Sequence, residues 1–141
     1  MKKIFLLFAM VSIAASVNAQ SNDGAVEFLP PGPHIKFSIE SHDFGDITQG
    51  DKVSYTFEFT NDGDAPLILS NVKTTCGCTA PSWPREPIMP GTSSKIDVTF
   101  NSTGKIGHTN KVITIMSNAS NNPETVKIVT NILPKTSETD S

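Results

Sequence analysis

From Ile35 onward apolar and polar residues take turns along the chain, a period of two that suits a β-strand with one buried face and defeats a helix, whose faces repeat every 3.6 residues. Ile35, Phe37 and Ile39 are set against Lys36, Ser38 and Glu40. Val53, Tyr55, Phe57 and Phe59 are set against Ser54, Thr56, Glu58 and Thr60, and Ile96, Val98 and Phe100 against Lys95, Asp97 and Thr99. Val126, Ile128, Thr130 and Ile132 close the series, with Val129 and Leu133 making the other face of that strand partly apolar. Residues 67–69 with Val72, and residues 112–116, are nearly continuous apolar runs and predict strands covered on both sides.

Turn chemistry separates these runs. Asn61-Asp62-Gly63-Asp64 supplies residues that tolerate positive φ, Pro90-Gly91 is a turn pair, and 103–107 and 117–123 are polar loops. No stretch joins helical spacing to a capping signal. About seven short strands over roughly 100 residues, with turns about every 8 to 12, predict an all-β fold, an immunoglobulin-like β-sandwich. The aromatic stripe Tyr55, Phe57 and Phe59 would pack on Phe37 and Phe100, each fully buried side chain contributing roughly 1.5–3 kcal/mol. A dozen such residues make a core that needs no covalent staple.

The first residues carry a different signal. Lys2 and Lys3 precede an apolar run over 4–17, followed by Val17-Asn18-Ala19, the small-residue pattern at which a signal peptidase cuts. The run is 14 residues long, short of the roughly 20 a membrane-spanning helix needs. The expected organisation is a signal peptide at 1–19 cleaved after Ala19, a Pro/Gly spacer at 20–33, one domain at 34–133 and a polar, disordered tail at 134–141. No Cys follows the apolar run at the expected cleavage point, so a lipid anchor is disfavoured, and no second apolar segment approaches spanning length. The expected location is the periplasm or the extracellular space.

The formal charge of −3 becomes −5 once Lys2 and Lys3 are removed, since the leader holds no acid. An acidic chain without a Lys/Arg cluster has no means of neutralising phosphates, which argues against nucleic acid and anionic membrane surfaces as partners. No serine-nucleophile elbow, phosphate-binding glycine loop or His-Glu-x-x-His motif appears, and the acids are dispersed. The expectation is a protein that is not an enzyme and holds no cofactor. The acids around Asn61-Asp62-Gly63-Asp64 lack the repeated spacing of a dedicated Ca²⁺ loop.

Cys76 and Cys78 are the only cysteines, two residues apart in Thr74-Thr75-Cys76-Gly77-Cys78-Thr79. They cannot staple two sheets as a disulfide between distant strands would. An oxidising compartment makes a Cys76–Cys78 disulfide the first expectation. In a flat strand their α-carbons would stand roughly 6.6–6.8 Å apart, at the far edge of what a disulfide accepts, and Gly77 would let the chain bend to bring the sulfurs together. Closing a three-residue loop removes only about 1.6 kcal/mol of chain entropy from the unfolded state, against about 3 kcal/mol for a fifteen-residue loop. The pair therefore calls for a local role: a turn clip, a thiol-redox couple, or two soft ligands for a metal such as Cu(I).

A third copper ligand would have to come from Met89, His34, His42 or His108, none at a spacing that places it beside the sulfurs. The plain reading of each histidine is a solvated imidazole, and of Met89 a side chain packed beneath the Pro90-Gly91 turn. Trp83 lies in a segment over 81–90 that holds four prolines, which predicts a wide, stiffened loop and excludes a central strand. It is a candidate partner contact; the competing reading, that it covers one end of the core, fits the usual burial of Trp.

Taken together, Asp43-Phe44-Gly45-Asp46-Ile47, Gly50, Tyr55-Thr56-Phe57-Glu58-Phe59-Thr60-Asn61, Gly63-Asp64-Ala65-Pro66-Leu67, Thr75-Cys76-Gly77-Cys78-Thr79, Pro90-Gly91 and Ser117-Asn118 resemble a bacterial domain-of-unknown-function family of exported proteins. That family is similar in turn to immunoglobulin-like domains of the Hydin and major-sperm-protein type. The resemblance covers about 35–133, and the Cys-Gly-Cys segment is its most specific element. It implies an Ig-like sandwich and a bacterial envelope or secreted location, with no assigned activity. Related domains elsewhere look like protein-binding modules, so the function expected by analogy is a non-catalytic interaction or structural module with an envelope protein as partner. The alternative is a thiol-redox or Cu(I)-binding role for Cys76 and Cys78.

Overall fold

A computed structural model describes Leu29 and residues 31–136. The proposed cleavage site after Ala19, most of the 20–33 spacer and the tail beyond Thr136 lie outside the described residues. Eight strands follow one another: β1 (Ile35–Phe37), β2 (Ser41–Thr48), β3 (Lys52–Asn61), β4 (Leu69–Thr74), β5 (Thr79–Ser82), β6 (Ser93–Asn101), β7 (Gly107–Ser117) and β8 (Glu124–Leu133). They form two four-stranded sheets, ordered β1-β3-β6-β5 and β2-β8-β7-β4, and the described residues include no helix. All neighbours are antiparallel except β2 and β8, which run parallel. This is the Ig-like sandwich that the alternation predicts.

Two strands escape a reading by alternation, each for a local reason. In β2 the register with β8 shifts between Asp43 and Asp46, where Gly45 takes φ +69° and its carbonyl accepts the Thr130 hydroxyl at 2.8 Å. The bulge breaks the period of two. Strand β5 contains Pro81, although the four prolines of 81–90 predict a loop. The proline is tolerated because β5 is an edge strand with one neighbour, β6, so one side of its backbone needs no donor.

The inward stripes meet as expected. Phe57, Phe59, Ile96, Val98, Phe100, Ile113, Ile115, Val126, Ile128 and Ile132 are buried, with Phe37 and Phe59 rings 5.6 Å apart. Three apolar expectations fail. Ile39 is 51% exposed because β1 stops at Phe37 and residues 38–40 carry the chain into the other sheet: Ser38 N–H donates to Glu58 O (3.0 Å), and Glu40 O accepts from Lys127 N–H (2.8 Å). The runs at 67–69 and 112–116 are not covered on both sides. Leu67, Leu69, Ile113 and Ile115 are buried, whereas Ile68 is exposed and Val112 and Met116 are half-buried, since a two-layer sandwich has no third layer to cover an outer face.

The sheets are joined at their two flanks by short crossovers between edge strands, β1 to β2 on one side and β4 to β5 on the other. At the pole where β1 enters, Asn61 is fully buried and makes four hydrogen bonds. Its Nδ2 donates to Ala65 O and Ile88 O, both at 2.8 Å, and its Oδ1 accepts from Gly63 N–H at 3.1 Å and His34 N–H at 3.3 Å. Gly63 does not adopt positive φ there. It is needed because the backbone of residues 32–34 passes against it, and a Cβ would stand 2.5 Å from His34 N and closer still to Gly32 O. At the opposite pole Ser102, also fully buried, shares its one hydroxyl proton between Thr48 O (3.1 Å) and Asp51 O (2.9 Å) and accepts from Gly50 N–H (3.0 Å).

Candidate functional site

The cysteine turn is the crossover from β4 to β5. Strand β4 pairs with β7 as far as Thr74, and β5 begins at Thr79 beside Phe100, so four residues must pass from one sheet to the other. Cys76 and Cys78 are joined as a disulfide with their α-carbons 5.3 Å apart, nearer than in a flat strand. Hydrogen bonds hold the bend on both sides. Thr74 Oγ1 donates to Cys76 O at 2.9 Å, Thr79 N–H donates to the same oxygen at 3.4 Å, and Asn101 N–H donates to Cys78 O at 2.9 Å. Gly77 is not in a positive-φ conformation, and a Cβ there would meet nothing within 4 Å. The bend thus does not depend on a shape open only to glycine, and open space lies over the turn.

Both cysteines are half-buried, Cys78 packing against the core. One side chain touches both: the Thr79 hydroxyl lies 3.9 Å from Cys76 Sγ and 4.0 Å from Cys78 Sγ, on a residue only 4% exposed. Among the described residues no group of three His, Cys, Asp or Glu is placed to hold a metal ion.

The other sequence candidates are dispersed. Trp83, just past β5, packs against the core and carries the Arg85 guanidinium over its outer face, 4.0 Å from the ring centroid. Its Nε1 is buried without an acceptor among the described residues. Met89 is 55% exposed and does not pack beneath its turn, because Pro90 and Gly91 (φ +75°) form the tight corner that points it outward, closed by Thr92 N–H to Met89 O at 3.0 Å. His108 is exposed on β7. His34 and His42 are not free surface imidazoles. His34 Nδ1 lies 2.5 Å from Asp62 Oδ1, and the His42 ring stacks on Tyr55 with centroids 3.6 Å apart and planes 10° off parallel. The acids of the 61–64 turn are likewise engaged, since Asp64 Oδ1 accepts Gly32 N–H at 2.6 Å.

His42, Phe44 and Tyr55 form an aromatic group at the β1/β2 flank, with His42 to Phe44 at 4.6 Å edge-on. Beside them the rim of β3 is uncovered among the described residues. β1 pairs only with Phe59, Thr60 and Asn61, and Ser38 adds one bond to Glu58. Since Glu58 faces β1 and backbone direction alternates along a strand, the N–H and C=O of Ser54 and Thr56 point outward from the sheet. They have no backbone partner on that side among the described residues, and both side chains are exposed. Sequence reasoning missed this rim because the pattern gives strands and faces but not how far a neighbour extends.

Solved structures share this fold, a PapD-like domain among them. The chain is similar to a Porphyromonas gingivalis W83 protein of unknown function, at 18% identity over 77% of this chain and 51% of that one (TM-score 0.63). It is also similar to the ASH/PapD-like domain 7 of human CEP192, at 10% identity over 91% of this chain and 100% of that domain (TM-score 0.62). A third likeness is to the secreted serine protease VesC of Vibrio cholerae, at 16% identity over 71% of this chain and 23% of the protease (TM-score 0.56). The chain thus spans about half of the first protein and about a quarter of the third, and identities this low carry the fold alone. No curated protein matches the sequence. The family model described as protein of unknown function DUF1573 matches residues 35–132, the whole sandwich but for its last strand residue, and the chain belongs to that family.

Proposed function

We propose that this domain is an exported, non-catalytic interaction module of the bacterial envelope that takes an extended segment of a partner protein onto the open rim of β3. The observation that carries the reading is the outward-facing backbone of Ser54 and Thr56, which has no partner among the described residues. Sheet edges that invite pairing are usually guarded, and the other edges here are. β1 is three residues long, β5 holds Pro81, β2 is bulged at Gly45, and β4 changes register between Leu69 and Asn71. The lower part of β3 has no such device: no proline, no bulge, and the neutral Ser54 and Thr56 at its centre. An added strand would gain main-chain hydrogen bonds from the rim and side-chain contact from the neighbouring His42, Phe44 and Tyr55. Export rests on Lys2, Lys3, the apolar run and the Val17-Asn18-Ala19 cleavage pattern.

The test places a photo-crosslinking residue at position 54 and compares the envelope proteins trapped by the parent chain and by Thr56→Pro. Proline at 56 deletes the outward N–H without touching the β6 ladder, whose bonds come from the neighbouring residues. A discrete adduct lost in Thr56→Pro, with the thermal unfolding curve kept, is the expected result. An adduct that survives the proline would exclude strand addition at this rim.

A further inference from the structure

We infer that the Cys76–Cys78 pair is a thiol–disulfide exchange site that accepts electrons from a dithiol partner, with the Thr79 hydroxyl positioned to hold the thiolate that departs. This activity goes beyond strand capture at β3, which lies on the opposite flank of the sandwich from the β4–β5 crossover, so either can fail without the other.

The first ground is the chemistry of Thr79. A buried hydroxyl ordinarily finds a good acceptor, because leaving it without one forfeits the hydrogen bond it made to water. Among the described residues the Thr79 hydroxyl has only the two sulfurs, at 3.9 and 4.0 Å. A disulfide sulfur is a poor acceptor, whereas a thiolate is a strong one. The surroundings of Thr79 are therefore completed by the opened pair and left wanting by the closed one.

The second ground is that the turn does not need the sulfur bond to keep its shape. Its carbonyls are held from β4 by Thr74, from β5 by Thr79 and from β6 by Asn101. Opening the bond leaves these contacts in place, as a site that cycles between two redox states requires. Third, the approach is clear: Gly77 carries no side chain and the space a Cβ would fill is empty for 4 Å.

The sulfurs are not equivalent. Cys78 packs against the core, so the incoming thiolate of the partner attacks Cys76 Sγ. The Cys76–Cys78 bond breaks, and its electron pair leaves on Cys78 Sγ, which accepts the hydrogen bond from Thr79 Oγ1 and then the proton shed by the first partner thiol. The partner's second thiolate attacks its own sulfur in the mixed disulfide and releases Cys76, which takes the second proton. The partner ends as a disulfide, and Cys76 and Cys78 as two thiols, with two electrons and two protons transferred.

Stopped-flow reduction of the full chain by dithiothreitol tests the role of Thr79. Thr79→Val keeps the volume and removes the donor, and the rate should fall about three- to tenfold, with Thr79→Ser restoring it. Equal rates in the parent, Val and Ser chains, or a Ser chain as slow as the Val chain, would overturn the role. The site itself is tested without altering Thr79. A two-cysteine peptide activated as its thionitrobenzoate should form a mixed disulfide faster with Cys78→Ser, which leaves Cys76, than with Cys76→Ser. The reverse order, or a parent pair that stays closed under excess dithiothreitol in the folded protein, would refute exchange at this turn.

Discussion

The two poles of the sandwich are fastened by different means. At one, a single amide, Asn61, ties together residues 34, 63, 65 and 88 through four hydrogen bonds. At the other, a covalent bond spans Cys76 to Cys78, yet the turn around it is already tied by Thr74, Thr79 and Asn101, and Ser102 nearby pins the β2–β3 turn. The weaker kind of bond carries the greater structural burden here, because the amide joins segments far apart in sequence whereas the disulfide closes a loop that was never free to wander.

That contrast can be broken in three places. Asn61→Ala removes four bonds, leaving Ile88 O with only Leu67 N–H and taking the side-chain partner from Ala65 O, Gly63 N–H and His34 N–H, and is expected to lower the unfolding free energy by about 4 kcal/mol in urea titration. A loss under about 1 kcal/mol would mean the amide is ornamental. Ser102→Ala, at the pole near the sulfurs, removes three bonds from a buried hydroxyl and is expected to cost about 2–3 kcal/mol by the same measurement. The smallest effect belongs to the double change Cys76→Ser, Cys78→Ser, at no more than about 1.6 kcal/mol, from the loop-closure entropy of three residues. If the sulfur-free protein proved less stable than Ser102→Ala, the disulfide would be the main fastening of its pole, and the inference that it is spare for chemistry would lose its footing.

The sandwich was legible in the chain because burial of one strand face writes itself as a period of two. The polar fastenings were written in the same code. Asn61 continues the inward parity of Phe57 and Phe59; Ser102 continues that of Ile96, Val98 and Phe100; Thr130 falls between Ile128 and Ile132. All three are buried and hydrogen-bonded. A polar residue at an inward position is a forecast of a local knot, and that signal was available. Other features had no such signature. The end of β1 at Phe37, the bulge at Gly45 and the bare rim of β3 depend on where one strand stops beside another, which is a matter of three-dimensional register. The closeness of Thr79 to both sulfurs could be suspected from adjacency, but its burial beneath the turn is set by pairing with Phe100.

The polypeptide enters the sandwich at Ile35, beside Asn121, and leaves past Leu133, where Gln49 N–H meets the last carbonyl of β8 at the far pole. A pull between those two points would run lengthwise along the strands and load their ladders in shear, many bonds at once, where a pull across one edge would unzip them singly. The parallel pairing of β2 with β8 extends that resistance to the exit strand. Along that axis both sheets would share the load, with no single edge bearing it.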